Sequence, residues 1–356
     1  MIVNEKKFVA DELVKFGEKC LLNYGMSAED AGTISSDLVQ TDKWGIYSHG
    51  MKNLCNYVKK SIAGGVSFSE QPEVISKLES LAIINGHNTM GFISSTMAMN
   101  LACEMASETG IGMTVVSNSC HFGAAGCYSN IAAQKGMIGV ALSNVDAFLT
   151  IPGALGAVMG QNPMSLAAPA SVLPSVFLDI STSNVASLKV VNAKLKGEKI
   201  PNDWIIDAKG HPTTDPSRYP EEGALIPMAM HKGYGIALFI EIMTSVISGG
   251  LLSMSKKIPS WNLKMNDPNG VSHSFLAINP DKVFGKGYLA SRVDMVIDLI
   301  HKAPRAEGVE RLYVPGEMEW DKSLKADKDG VIIPGIVFEE INKLSELAKV
   351  DMPSMV

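Results

Sequence analysis

The sequence predicts an α/β fold with helices gathered at both chain ends. Three observations lead there. The first 65 residues carry apolar positions at helical spacing. After Pro72, short β-type runs alternate with helical patterns, and a helical pattern returns over residues 336–350. A Gly-x-Gly-x-x-Gly fingerprint is absent, so the usual dinucleotide loop does not hold any cofactor.

Each element has its own signal. Val9, Leu13, Phe16 and Cys20 recur at three and four residues, one face of a first helix, and Gly25 is a suitable stop. Ser27 with Asp30 resembles a capping box that opens a second helix through Ile34 and Leu38. Met51, Leu54, Val58 and Ile62 mark a third, stopped at Gly64-Gly65. Strands are expected at residues 81–85, 111–116, 137–142 and 175–180, with helices through Ile93, Met97, Leu101 and Met105 and through Tyr128, Ile131 and Ala132. The run 111–116, a helix, then 137–142 is compatible with a βαβ unit. Residues 151–163, rich in Gly and Pro, read as a long ordered loop. The most apolar stretch, 236–252, is interrupted by Glu241 and Gly249-Gly250 and is too short to span a bilayer, so it reads as a buried helix. Residues 309–315 read as a strand. With no repeat and no low-complexity linker, two intimately packed lobes are expected. Their bounds are a helical part at 1–72, an α/β part at 73–290, and a segment at 291–356 that partly returns to the helices.

Composition sets limits. A chain of 356 residues, 46% apolar, can bury a sizeable core. A net charge of −6 argues against general affinity for nucleic acid or an anionic membrane. Five cysteines without a C-x-x-C pair fit free thiols in a reducing compartment, and residues 1–7 lack a signal-peptide apolar region, so a cytoplasmic location is expected. No metal-ligand spacing is present. The 20 methionines fall at helical core positions such as Met97 and Met105 and read as packing.

Two histidine loops carry the chemistry. Ser119-Cys120-His121-Phe122-Gly123 follows a strand and opens a helical run, and Ser48-His49-Gly50 lies between helices. Histidine exchanges protons near neutral pH. A helix N-terminus lowers a histidine's pKa and a carboxylate raises it; Asp146, past the next strand, is the candidate partner of His121. Such a pair at one sheet edge could protonate a carbonyl as hydride arrives. A histidine that merely caps its helix is the plainer alternative. Ser48 and His49, as sequence neighbours, are expected to diverge, and no G-x-S-x-G surrounds them, against a hydrolase. Either could instead cap the third helix. Lys232 in His231-Lys232-Gly233-Tyr234-Gly235 suits an anionic phosphate or is simply solvated. Asp179, at a strand end, could accept from ribose hydroxyls or cap the following helix.

The ordered motifs resemble a known family. They are Ser48-His49-Gly50 with Tyr57; Asn118-Ser119-x-His121-Phe122-Gly123-Ala124-Ala125-Gly126; Gly160-x-Asn162-Pro163; Leu178-Asp179-x-x-Thr182-Ser183; Pro212-Thr213-Thr214-Asp215-Pro216; Lys232-Gly233-Tyr234-Gly235; and Val314-Pro315-Gly316-Glu317. The set is similar to the type 2 malate/L-lactate dehydrogenases, which include ureidoglycolate and sulfolactate dehydrogenases, diketogulonate reductase and a cyclic-imine reductase. The resemblance implies a non-Rossmann NAD(P)-binding sheet domain plus a helical domain built from both chain ends, in a homodimer. It implies NAD- or NADP-dependent interconversion of a small 2-hydroxy acid and a 2-oxo acid. By position, His121 or His49 matches the acid/base and Asp146 an acidic residue near the substrate. Ser48 and Tyr57 match substrate contacts, and Asp179, Ile180, Ser181, Lys232, Gly316 and Glu317 match cofactor contacts. Two positions depart from the pattern. Asn53 stands where the family has an arginine able to hold a carboxylate bidentately, with Lys52 one residue earlier. Ser187-Leu188-Lys189 replaces a glycine before the lysine. Reduction of a cyclic imine carboxylate, or a catalytically inactive binding protein on the same fold, are the alternatives.

Overall fold

The structure, a computed structural model, describes residues 5–356; Met1–Asn4, the first part of the 1–7 stretch read above, lie outside the described residues. The chain opens with β1 (Lys6–Phe8), α1 (Ala10–Leu22), α2 (Ala28–Lys43) and α3 (Leu54–Ile62). Ser27 caps α2 as its spacing predicts: Asp30 N–H donates to Ser27 Oγ at 3.1 Å. A single 3₁₀ turn, Met51–Asn53, leads into α3. There follow β2 (Glu73–Lys77), β3 (Leu81–Asn85), α4 (Gly91–Thr109), β4 (Ile111–Ser119), α5 (Ala125–Gln134) and β5 (Ile138–Ser143). Next come β6 (Ala147–Leu149), β7 (Met159–Gly160), β8 (Met164–Ala168), β9 (Val176–Ile180) and α6 (Ser187–Lys196). Then β10 (Ile205–Ile206), β11 (Pro212–Thr213), β12 (Ala224–Leu225), α7 (His231–Glu241) and β13 (Val271–Ile278). The chain closes with α8 (Asp281–Phe284), α9 (Tyr288–His301), α10 (Glu317–Asp329), β14 (Val331–Ile333) and α11 (Gly335–Ala348).

The first core is helical and uses both chain ends. Leu13, Phe16 and Cys20 of α1, Ile34 and Leu38 of α2, and Leu54 and Val58 of α3 pack with Val337, Ile341 and Leu344 of α11. Their spacing of three and four residues puts each set on one helix face. β1 pairs antiparallel with β14, which ties the ends together.

The second core is a seven-stranded mixed sheet in the order β2-β3-β4-β13-β5-β8-β9. β3 and β4 pair in parallel across α4. α4 and α5 cover one face, with Ala98, Met99, Ala102, Tyr128 and Ala132 against Val116, Ala141 and Phe275. A five-stranded sheet, β11-β10-β12-β6-β7, stands beside it.

Four expectations change. The βαβ reading of residues 111–142 holds in direction, but β4 and β5 are not neighbours. β13 lies between them, antiparallel to both. Their C-terminal ends still leave the same edge. Residues 309–315 form no ladder among the described residues; one bond, Phe177 N–H to Pro315 O at 3.1 Å, holds them along β9. The 236–252 stretch is not one buried helix: α7 passes into a π-helical turn at Ile242–Val246, and Phe239 and Val246 are 67% and 55% exposed. Within 151–163, Met159–Gly160 pairs with β6. No helix among the described residues is long and apolar enough to cross a membrane.

Candidate active site

β4 ends at Ser119, and the chain turns through Cys120 and His121 before α5. The Ser48–Gly50 loop comes in from the helical core. The buried Asp42 carboxyl group sets that loop: Met51 N–H donates to Asp42 Oδ2 at 3.0 Å, and a Cβ at Gly50 would lie 1.9 Å from Asp42 Oδ1, so only glycine fits. Neither Ser48 nor His49 caps the helix; Asp42 takes that amide instead.

The fold brings the two histidines together. Their rings lie 5.8 Å apart between centroids, at 24°. Tyr57 of α3 and His121 Nδ1 are 2.6 Å apart, and Gly123 N–H also points to Nδ1 at 3.4 Å. With a backbone donor there, Nδ1 is the acceptor, Tyr57 donates, and Nε2 carries the hydrogen. Trp261 stacks on His121 at 4.4 Å and 18°. Ser48 Oγ lies 2.8 Å from His49 Nδ1, so these neighbours do not diverge; the turn folds one over the other. Asn53 is buried, and its Nδ2 donates to Ser48 O at 2.9 Å.

Behind them sits a histidine that sequence reading missed. His273 of β13 is fully buried, with Nδ1 2.9 Å from Ser143 Oγ and Nε2 3.0 Å from Ser119 Oγ. It bridges the ends of β4 and β5, and Phe122 stacks on it at 4.5 Å. Its signal was a Ser-His-Ser triplet inside an otherwise apolar run.

Burial sets the charge state. It holds His121 well below the usual imidazole range, with His49 and His273 adding to the effect. His49 is pushed down to about 4 by burial and by Lys52, and His273 to about 3 by burial. All three are neutral at pH 7. Of the two opposing influences weighed for His121, the lowering direction prevails, with burial as the first cause. Asp146 is not its partner: no hydrogen bond joins them, and the charge of Asp146 bears on Tyr219. Burial raises Asp146 itself to about 6.

β9 gathers the other three segments. Asp179 Oδ2 accepts from Gly126 N–H at 2.7 Å, so it caps α5 rather than the helix that follows it. Burial raises its pKa to about 6. Ile180 and Ser181 complete the strand end, with Ser181 Oγ 3.0 Å from Ser183 Oγ. Thr182 O accepts from Met228 N–H at 2.8 Å, which sets the start of α7 and Lys232 beside β9. Gly316 (φ 85°) packs so tightly on Phe177 that a Cβ would lie 2.4 Å from its ring. Glu317 is fully buried and occupied. Arg311 pairs with Oε1, while His301 Nε2 and Val314 N–H reach Oε2, each at 3.0 Å. Burial alone would raise its pKa, but these donors hold it below the usual range.

This arrangement meets its relatives in the family comparison. The family described as malate/L-lactate dehydrogenase matches residues 8–342. The chain belongs to this family. Malate dehydrogenase of Pyrococcus abyssi is 32% identical over 349 residues, 96% of this chain and 95% of that one. L-sulfolactate dehydrogenase of Methanocaldococcus jannaschii is 31% identical over 341 residues, 96% and 94% of the two chains. The crystal structure of malate dehydrogenase from Entamoeba histolytica shares the fold at a TM-score of 0.91 and 26% identity, over 99% of this chain and 100% of that one. As a member of the malate/L-lactate dehydrogenase family, the chain is an oxidoreductase using NAD or NADP.

The residues present fit such a cofactor. A cleft of about 430 Å³ opens along α7, walled by Leu142, Ile236, Phe239 and Met243, with Lys232 at one end. An apolar wall beside a lysine suits a nucleotide's ring and phosphate. The amides of Lys232, Gly233 and Tyr234 already donate to carbonyls at 228–230, so the phosphate contact falls to the lysine side chain.

Proposed function

We propose that this enzyme interconverts a small 2-hydroxy acid and its 2-oxo acid, with His121 as acid/base. The observation that carries the reading is the Tyr57–His121 hydrogen bond at 2.6 Å, which turns an Nε2–H toward the site. The bound NAD or NADP supplies or accepts the hydride. In reduction His121 would give its Nε2 proton to the carbonyl oxygen while Nδ1 takes the Tyr57 hydroxyl proton, so the ring stays neutral and the tyrosine oxygen regains its proton from solvent; oxidation runs the same relay in reverse. Tyr57, at Nδ1, fixes the ring's tautomer and orientation. A neutral imidazole is suited to this donation at pH 7. His49 and Ser48 form the adjoining wall.

Lys52 supplies the charge for the substrate carboxylate in place of the expected arginine. It makes no ion pair among the described residues, and its cation is felt at His49. On the cofactor side, Lys232 would hold a phosphate, and Asp179 Oδ1, which carries no protein hydrogen bond, would accept from a ribose hydroxyl. Gly316 and Glu317 support that wall from behind. The sheet serves as a non-Rossmann cofactor domain, with β13 antiparallel at its centre. The working form is a cytoplasmic homodimer; five unpaired buried cysteines and the exposed apolar side of α9 support this.

The test is turnover of NADH or NADPH with a panel of 2-oxo acids. Reduction of at least one, and loss of it in Lys52→Ala through KM, is the expected result. Failure of both cofactors to bind in the micromolar range would overturn the reading.

A further inference from the structure

Trp261 lies in none of the motifs above, yet its ring is the nearest to His121. It stacks at 4.4 Å on His121 and at 4.9 Å on Tyr57, the two ends of the short hydrogen bond. Its loop, between α7 and β13, has no regular ladder to hold it in place.

The loop is held by a buried lysine. Lys60 is fully buried, one turn along α3 from Tyr57. Its Nζ donates to Lys264 O at 2.9 Å and to Asp267 O at 2.7 Å. No carboxylate pairs with it among the described residues. A buried cation without a counter-ion is costly, and here carbonyl dipoles from one loop offset that cost. Gly65 leaves the room for this: a Cβ there would lie 2.0 Å from Met265 O and 3.0 Å from Lys60 Nζ. Asn269 Nδ2 donates to Pro259 O at 2.7 Å and closes the base of the loop.

We infer that Lys60 is a positioning residue for the acid/base: it clamps the 260–269 loop so that Trp261 roofs His121 and keeps water off it. α3 thus carries both supports of His121, Tyr57 directly and Lys60 through Trp261. The roof presents a flat aromatic wall beside the imidazole. Around His121 the titratable neighbours are Tyr57 from α3, His49 from its loop, His273 from β13 and Cys120 beside it, with Lys60 beyond. None is a carboxylate, so exclusion of water dominates.

This inference rests on His121 as acid/base, and the experiment separates the two claims. Trp261 emission is taken as the difference between wild-type and Trp261→Phe spectra. In the wild type it should titrate with His121 and stop titrating in His121→Gln. In Lys60→Met that dependence should disappear, cofactor Kd should hold, and kcat/KM should fall on the order of 10²-fold. The acid limb of kcat/KM should move up toward the ordinary imidazole value as water reaches the ring. Lys60→Arg, which keeps donors for the two carbonyls, should recover part of the loss. Trp261→Ala removes the roof without touching the buried lysine, and should shift the same limb. Lys60→Met/Trp261→Ala should be no worse than the poorer single variant. Losses that multiply, or an emission titration that survives Lys60→Met, would sink the clamp. Full activity in His121→Gln, with the emission titration present in the wild type and lost in Lys60→Met, would remove the acid/base role and leave the clamp standing.

Discussion

His121 and Tyr57 are 64 residues apart in sequence and 2.6 Å apart in space, and that contact ranks the two loop histidines. His49 has a hydroxyl at Nδ1; His121 has a fully buried tyrosine, a backbone amide and an indole. Each added partner narrows its tautomer and orientation. His121→Gln should therefore lower kcat by about 10²–10⁴-fold with little change in cofactor Kd. His49→Gln should act more weakly and mainly on KM; the reverse ranking would hand the proton to His49. Tyr57→Phe should cost less than His121→Gln, because the ring keeps its stack. Because burial holds His121 low, the acid limb of kcat/KM should fall below the ordinary histidine range, and a limb at or above 6.5 would contradict a water-free ring.

The elements show where sequence reading succeeds and where it stops. Helices α1, α2 and α11 were legible because their burial is one-sided and repeats at three and four residues. β3, β4, β5 and β9 were legible as apolar runs. β13, the central strand, was not, because Ser272, His273 and Ser274 interrupt it. Ser272 and His273 are held in the core by partners from elsewhere in the chain: Ser143 and Ser119 for the imidazole, and Asn144 Oδ1 accepting from Ser272 N–H at 2.7 Å; the buried Ser274 hydroxyl has no partner among the described residues. Pairing across 130 and 154 residues leaves no local pattern. Trp261 and Lys60 were invisible for the same reason. The motif histidines, by contrast, could be named from sequence, though which carboxylate stood near them could not. Glu241 makes the element argument testable. It is fully buried and accepts from Asn144 and Asn162 side chains and from Ser253 twice, joining α7 to the start of β8 and the loop that leads to Trp261. Glu241→Ala strands those donors, so a loss of about 3–5 kcal/mol in unfolding free energy is expected. Glu241→Gln should lose less, and equal stability of all three proteins by denaturant titration would refute the network's role.

Across the whole molecule, buried titratable groups set a stability window. Burial raises Asp42 to about 8 and Asp37 to about 7, far above the ordinary 3.8. Their folded pKa values exceed the unfolded ones, so their contribution is complete below pH 4 and lost as pH rises through 7 and 8. The histidines have the opposite sign. With folded values of about 4 and 3 against 6.5, His49 and His273 contribute fully above pH 6.5 and lose that contribution as the pH falls. The two slopes oppose each other, and with Asp146 and Asp179, also raised by burial, on the acid-favouring side, maximum stability should fall on the acid side of neutrality. Asp42→Asn keeps an acceptor for Met51 N–H and should flatten the alkaline slope; melting curves from pH 4 to 9 check both. The proposed homodimer would add a concentration term to the same curves. α9 buries only Ile297 and exposes Met295, Val296 and Leu299 at 52%, 54% and 68%, next to Val283 and Phe284 on α8. An apolar face of that kind on a single chain marks an association surface. Leu299→Asp should therefore convert a dimer to monomers by light scattering and lower the melting temperature at low protein concentration. A wild-type chain that is monomeric at micromolar concentration would exclude the dimer and leave the pH window resting on the buried groups alone.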